Sequence, residues 1–447
     1  MNREQEIPTR QATLQQMVED LLKEAREQGA SSAEAAVSFD SGLAINVRKG
    51  DVETIEHTRD QGLGVTVYFG QRKGSASTSD FKPEAIRETV RAACNIARYT
   101  NEDPCSGLAD ADLMASDLPD LDLYHPWNIT PEEAIELGIR CERAALELDP
   151  RISNTEGAGI NTHSGLHVYG NSHGFIGGYP SSRHSLSCSV IGRQGESMQR
   201  DYWYTVARRP EQLEPEAAVG RKAAERTLAR LGARKIGTCQ VPVIFRADVA
   251  GSLLRSLISA ISGSSLYRKA SFLLDRLGQP VFPSYIQIQE TPRMPGGLGS
   301  ASFDSEGVAT RDKQIIRDGV LQTYLLGSYS ARKLGLQSTG NAGGVHNVSI
   351  TPGDQDLDGL LRQMGRGLLV TEMMGQGVNM VTGDYSRGAS GFWVEQGEIQ
   401  YPVEEITIAG NMKQMFSQLL AVGKDLDLRS SIRTGSLLIE QMTVAGE

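Results

Sequence analysis

The chain has 447 residues, 39% hydrophobic and 22% charged, a balance that fits a soluble globular protein of two to four structural units. Its formal charge of −10 repels phosphate backbones, which argues against direct nucleic-acid binding, and no uncharged apolar run is long enough for a membrane-spanning helix. Five widely spaced cysteines without a C-x-x-C suggest neither a disulfide framework nor a zinc knuckle, and the N-terminus lacks an apolar signal core, so a cytoplasmic protein with reduced thiols is expected.

Leu14, Met17, Val18, Leu21, Leu22 and Ala25 recur at helical spacing up to Gly29 and predict an amphipathic helix. From Ala35 to Ser79 the period becomes two, with turns expected at Lys49-Gly50 and Gln61-Gly62, as in an antiparallel meander. A second helix begins near Pro83. Residues 101–127 read as an acidic linker, because Glu102 to Asp122 contains seven acidic side chains and no basic one.

Thr130-Pro131-Glu132-Glu133 carries a capping box and opens a third helix, followed by a Gly/Ser/His-rich β region and a helix from Pro215 to Gly232. The chain is therefore expected to be α+β with two domains: an N-terminal helix and antiparallel-sheet domain, 1–232, and a β-rich C-terminal domain, 233–447. In the latter, the strand "VPVIF" leads into a helix over 250–262. Short strands follow in "SYIQIQE", "GVLQTYLLG", "GGVHNVSITPG" and "GFWVEQGEIQYPVEEITIAG", with helices near Asp358–Met364 and from Met412 to Val422.

Gly170-Asn171-Ser172-His173-Gly174 matches G-x-S-x-G, but the glycines and proline after it cannot build the helix that a nucleophile elbow needs, so a serine hydrolase is not expected. His163, His167, His173 and His184 cluster within a short β segment. Their spacing matches no metal motif and a structural role is expected, with a transition-metal site, or an autonomous peptidase using His163 and His167, as the alternative.

Long ordered stretches such as "INVRKGDVETIEHTRDQGLGVTVYFGQRKGSASTSD", "NSHGFIGGYPSSRHSLS" and "TGDYSRGASGFWVEQGEIQYPVEEITIAGNM" resemble the TldD/PmbA family, in its PmbA or TldE branch. The resemblance implies a subunit that pairs with a TldD-like partner to form a cytoplasmic metallopeptidase for unfolded peptides, including a peptide-antibiotic precursor and an antitoxin. The partner is expected to carry the zinc on an H-E-x-x-x-H helix and a late cysteine. Carried onto this chain, the first His, the Glu and the second His fall on Arg255, Ser256 and Ala260, and the last cysteine is Cys239. An arginine stays protonated, a serine is too weak a base and alanine has no donor, so no catalytic residue and no bound metal are expected in this chain.

Its role would then be to hold extended peptide by its backbone, with Asn171, Gly174, Gly340 and Asn341 in Gly-rich edges as groove candidates; the same residues read equally well as turns. Arg255 either meets a peptide carboxylate or simply reaches solvent. In isolation the chain could pair with itself, and a further expectation, attached to the family's names, is a protein-binding modulator of DNA gyrase.

Overall fold

The computed structural model describes residues 3–446. The N-terminal domain runs α1 (Arg3–Glu27), β1 (Ser32–Arg48), β2 (Asp51–Phe69), β3 (Arg72–Thr78), α2 (Pro83–Tyr99), α3 (Pro131–Leu146), β4 (Ile152–Asn171), β5 (Ile176–Gln194), β6 (Ser197–Ala207) and α4 (Glu216–Ala229). Its six strands form one antiparallel sheet in the order β3-β2-β1-β4-β5-β6. The element order α-β-β-β-α therefore occurs twice, and the halves meet where β1 pairs with β4. No sequence repeat announced this.

All four helices pack on one face of the sheet. Buried side chains alternate along β1, from Ala33 to Val47, as a half-buried strand requires. Val18, Leu21 and Val90 join the first half's core, and Cys141, Ile160 and Val219 the second's. Helices α3 and α4 touch at Gly220, where a Cβ would come within 2.0 Å of the Cys141 carbonyl oxygen, so only glycine fits.

The Lys49-Gly50 turn forms as expected, with φ of 55° and 78°, and both backbone N–H groups donate to the buried Glu142 carboxylate at 2.8 Å. The Gln61-Gly62 turn does not. β2 passes straight through it, Gly62 pairing with Ser38, and the chain reverses only at Gly70, whose φ is +62°. Local punctuation was overridden there by a continuous ladder to β1. The capping box of α3 is present, with Glu133 N–H donating to Thr130 Oγ1 at 3.2 Å and Thr130 N–H to Glu133 Oε2 at 2.9 Å.

The C-terminal domain comprises β7 (Cys239–Phe245), α5 (Ala247–Ala260), α6 (Gly263–Tyr267), β8 (Ile288–Glu290), β9 (Lys313–Arg317), β10 (Val320–Leu321), α7 (Ser328–Leu334), β11 (Val348–Ile350), α8 (Leu357–Met364), β12 (Gly367–Met374), β13 (Asp384–Glu395), β14 (Glu398–Asn411), α9 (Met412–Ser417), β15 (Leu419–Val422), β16 (Ile432–Arg433) and β17 (Leu437–Ala445). One sheet, β14-β13-β12-β7-β17-β15, closes on itself through an additional β14–β17 pairing, giving a barrel-like layer; the other is a short-stranded sheet, β10-β9-β8-β11-β16. The apolar face of α5 is buried in the core that both sheets share.

Two expectations for this half, and one for the segment that reaches it from the N-terminal domain, need correction. "GVLQTYLLG" supplies only the two-residue β10 before the chain leaves the sheet. The helix expected from Met412 to Val422 stops at Ser417 and becomes β15, because pairing to β17 captures Leu419–Val422. Nor is the acidic segment a solvated linker. Leu108, Leu113, Leu121 and Leu123 are buried, and Asp103, Asp110 and Asp117 pair with Lys333, Arg332 and Arg293 of the C-terminal domain. The repulsion read from the local run is relieved by cations far away in sequence.

Candidate functional site

The seam between the domains holds two concave regions. One lies at α5. The strand β7 delivers the chain into this helix, whose leucines 253, 254 and 257 are 1% exposed and anchor it in the core. Its other side is polar, as the spacing predicts. Arg255 is exposed and has no ion-pair partner among the described residues. Ser256 Oγ donates back to the Ser252 carbonyl at 3.2 Å, and Ala260 is wholly buried, its carbonyl accepting from Ser271 Oγ at 2.6 Å. These are the positions onto which the resemblance would carry zinc ligands and a base; a guanidinium, a serine hydroxyl already engaged and a buried methyl do not fit a zinc ion.

Beside Arg255 is a cavity of about 270 Å³ between α5, β6, β12 and β13. Trp203 and Tyr204 form an aromatic wall, and the Arg429 guanidinium lies 3.8 Å and 4.5 Å from their ring centres. Three carboxylates line the cavity, and three arginines pair with them. Arg226 reaches Asp201 at 3.2 Å and Asp248 at 2.8 Å, Arg246 adds a second contact to Asp248 at 2.7 Å, and Arg230 meets Glu372 at 2.5 Å. Burial alone would push the Asp248 carboxyl up, but the two arginines outweigh it and hold the group below its ordinary range. Arg255 and Arg387 are the lining cations without a carboxylate; Arg387 Nη2 donates to the Gly375 carbonyl at 2.6 Å, and its buried Nε has no partner.

The second region lies between the helix-free face of the N-terminal sheet and residues 301–306 of the C-terminal domain. Strand alternation decides which histidines reach it. His163 and His167 project from β4 onto this face, His163 Nε2 lying 3.0 Å from Asp40 Oδ1. His167, which stays exposed, opens into a cavity of about 500 Å³ shared with Asp40, Asp304 and His346, and partial desolvation there lowers its pKa. His184 points the other way, 0% exposed, bonded to the His125 carbonyl at 2.8 Å and edge-on to Trp127; Cys188 shares that buried face. His173 sits in the β4–β5 turn against the Ala109 carbonyl at 3.1 Å. The four histidines do not converge, and among the described residues no group of three or more His, Cys, Asp or Glu side chains is arranged to hold a metal ion. Ser172 lies in the same turn, accepting from the Ala33 N–H at 3.0 Å, and a strand, not a helix, follows it.

Of the five groove candidates, Arg255 lines the cavity at α5, and the other four lie on either side of the turn at residues 303–309. Asn171 is 1% exposed and contacts Met114 and Tyr169; Gly174 takes φ +91° in the hairpin turn. Gly340 has φ +71°, and Asn341 Nδ2 donates to both oxygens of the buried Glu290, at 3.0 and 3.1 Å. None of the four lines the cavities described.

Two acids that do line the second region carry no sequence signal. Glu34 accepts from the Tyr68 and Tyr169 hydroxyls at 3.0 and 2.9 Å, burial raises its pKa, and it borders adjoining cavities of about 900 and 450 Å³. Asp304 is pushed up to about 6, chiefly by burial. Each sits among residues that only the tertiary fold brings together.

Comparison with known proteins places these features. Residues 33–97, 124–231 and 238–446 match, in turn, domain 1, the central domain and the C-terminal domain of the PmbA/TldA metallopeptidases. Metalloprotease PmbA of Escherichia coli O157:H7 is 54% identical over 93% of this chain and 92% of its own, and the PmbA homolog of Haemophilus influenzae 52% identical over 98% of each. The TldD homolog of Haemophilus influenzae is 21% identical over 87% of each. A crystal structure from Bacteroides thetaiotaomicron, described as a candidate modulator of DNA gyrase, superposes with a TM-score of 0.92 at 30% identity over 97% of this chain and 98% of its own. TldE of Thermococcus kodakarensis shares the fold, with a TM-score of 0.79 at 20% identity over 96% and 100% of the two chains. No helix among the described residues is long and apolar enough to cross a membrane. The chain belongs to the PmbA/TldA metallopeptidase family, on its PmbA side and apart from its TldD homologues.

Proposed function

We propose that this chain is a PmbA/TldE-type subunit that binds no zinc itself and, with a TldD-like partner carrying H-E-x-x-x-H, completes the substrate channel of a metallopeptidase acting on unfolded peptides in the cytoplasm. The observation that carries this reading is the polar side of α5. At the positions where zinc ligands and a general base would stand it has an Arg255 without an ion-pair partner among the described residues, a Ser256 bonded to its own helix and a fully buried Ala260. No side chain there can hold a divalent ion or take a proton from water. Natural substrates of the pair would be peptides such as an antibiotic precursor or an antitoxin.

The test is metal analysis of each purified chain with a peptidase assay on each chain and on their mixture. This chain alone should carry no stoichiometric zinc and cleave no unfolded peptide, while the mixture cleaves. Zinc seated on this chain, or turnover by a preparation free of any TldD-like protein, overturns the reading. A pull-down that recovers gyrase and no TldD-like chain would favour the modulator role by which the Bacteroides relative is described.

A further inference from the structure

The cavity beside α5 has an imbalance of charge that the reading above leaves unused. Its three carboxylates, Asp201, Asp248 and Glu372, are already matched by Arg226, Arg230 and Arg246, and Arg429 is matched by Asp427 at 2.9 Å. Arg255 and Arg387 remain, one from the helix and one from β13, lining the same space with no acid among the described residues to neutralise them. Arg387 also keeps a buried Nε–H without an acceptor.

The remaining walls restrict the ligand. Trp203 and Tyr204 offer aromatic surface, and about 270 Å³ lies just below the roughly 300 Å³ at which small-molecule sites begin. A doubly charged phosphate would approach three fixed carboxylates; a single carboxylate carries half that charge and matches the planar fork of a guanidinium. A flat apolar group next to the carboxylate could lie on the aromatic wall.

We infer that this cavity is a binding site for the C-terminal carboxylate of a peptide, with Arg255 and Arg387 as its anion donors and Trp203 and Tyr204 receiving the terminal side chain. The inference rests on the peptide-handling role proposed above and assigns that role a defined end of the substrate. The degenerate helix then binds a charge at the place where its relatives would hold a metal.

The experiment is calorimetric titration of the full chain, without partner, with N-acetyl-Ala-Ala-Phe as the free acid and as the amide. The acid should bind at least tenfold more tightly than the amide, the range expected for losing one charge-assisted hydrogen bond. Arg255→Ala and Arg387→Ala should each weaken the acid about tenfold and leave the amide unchanged, and Arg255→Lys should restore part of the loss. Arg255 is exposed, so its variants test the site without risk to the core.

Equal affinity for acid and amide, no binding of either, or displacement of the acid by equimolar inorganic phosphate would each overturn the inference. So would variants that weaken association with a TldD-like chain while acid and amide bind alike, since the cavity would then belong to the subunit interface. Cleavage by the mixed chains is scored separately. Its presence without a preference for the acid removes only the carboxylate site, and its absence removes the proposed function.

Discussion

Two charged clusters in the C-terminal half look alike in composition and differ in closure. Around Glu290 the acid and its cation answer each other: Lys313 Nζ lies 2.9 Å from the carboxylate and also donates to the Thr339 carbonyl and Asn341 Oδ1, while Asn341 Nδ2 and the His346 backbone N–H donate to the same carboxylate. Glu290 is 0% exposed and Lys313 only 14%. The cluster at Arg255 has the same kinds of side chain, but two of its cations find no acid and its cavity opens to solvent. A network whose charges cancel is scaffold, and one that leaves charge over is a place for a ligand.

The contrast can be broken most forcefully at Lys313. Lys313→Met leaves a buried carboxylate without its cation and should cost about 3–5 kcal/mol, read as a large fall in the denaturant midpoint with unchanged slope. Burial alone would raise the Glu290 pKa, but the bonds from His346, Lys313 and Asn341 outweigh it and hold the carboxyl below its ordinary value. Its contribution is therefore present above the unfolded pKa of about 4.3 and is lost as pH falls through the lower folded value. The Lys313→Met variant, which keeps only the His346 and Asn341 bonds, should show a smaller acid-side loss.

Asp304, in the cavity of His167, sharpens the comparison from the opposite sign. Its folded pKa of about 6 lies above the unfolded value, so its favourable contribution is complete below about pH 4 and disappears as pH rises through 6. Asp304→Asn keeps an acceptor for the Glu306 and Val308 N–H groups. Relative to this variant the parent should lose about 2 kcal/mol between pH 4 and 7, measured as the pH dependence of ΔΔG. Smallest of all is Arg255→Ala, which removes a cation that no described residue answers. It should change stability by no more than about 0.5 kcal/mol, however large its effect on peptide binding. A cost above about 1 kcal/mol would show that Arg255 belongs to a closed network after all.

The N-terminal sheet was legible because its signals are local. The alternation in β1, the Lys49-Gly50 turn and the Thr130 capping box each lie within a few residues, and each formed. The C-terminal half was not legible in the same way, since its strands are as short as two residues and are defined by partners far along the chain: β11 beside β16, β7 between β12 and β17. Leu419–Val422 continues an apolar helical pattern and yet becomes a strand. At the candidate site, the exposed side of α5 could be read from its spacing. The matching of Asp201, Asp248 and Glu372 to distant arginines, which leaves Arg255 and Arg387 over, could not, because it joins β6, α4, α5 and β12.

The acidic segment between α2 and α3 has a consequence for synthesis. Asp110 and Asp103 bond to Arg332 and Lys333, which are 222 and 230 positions further along. A ribosome must therefore translate nearly three quarters of the message before this strap can dock. Until then the nascent sheet domain emerges with its leucines 108 and 113 uncovered and its carboxylates uncompensated, a transient adhesive stretch of the kind that chaperones shield.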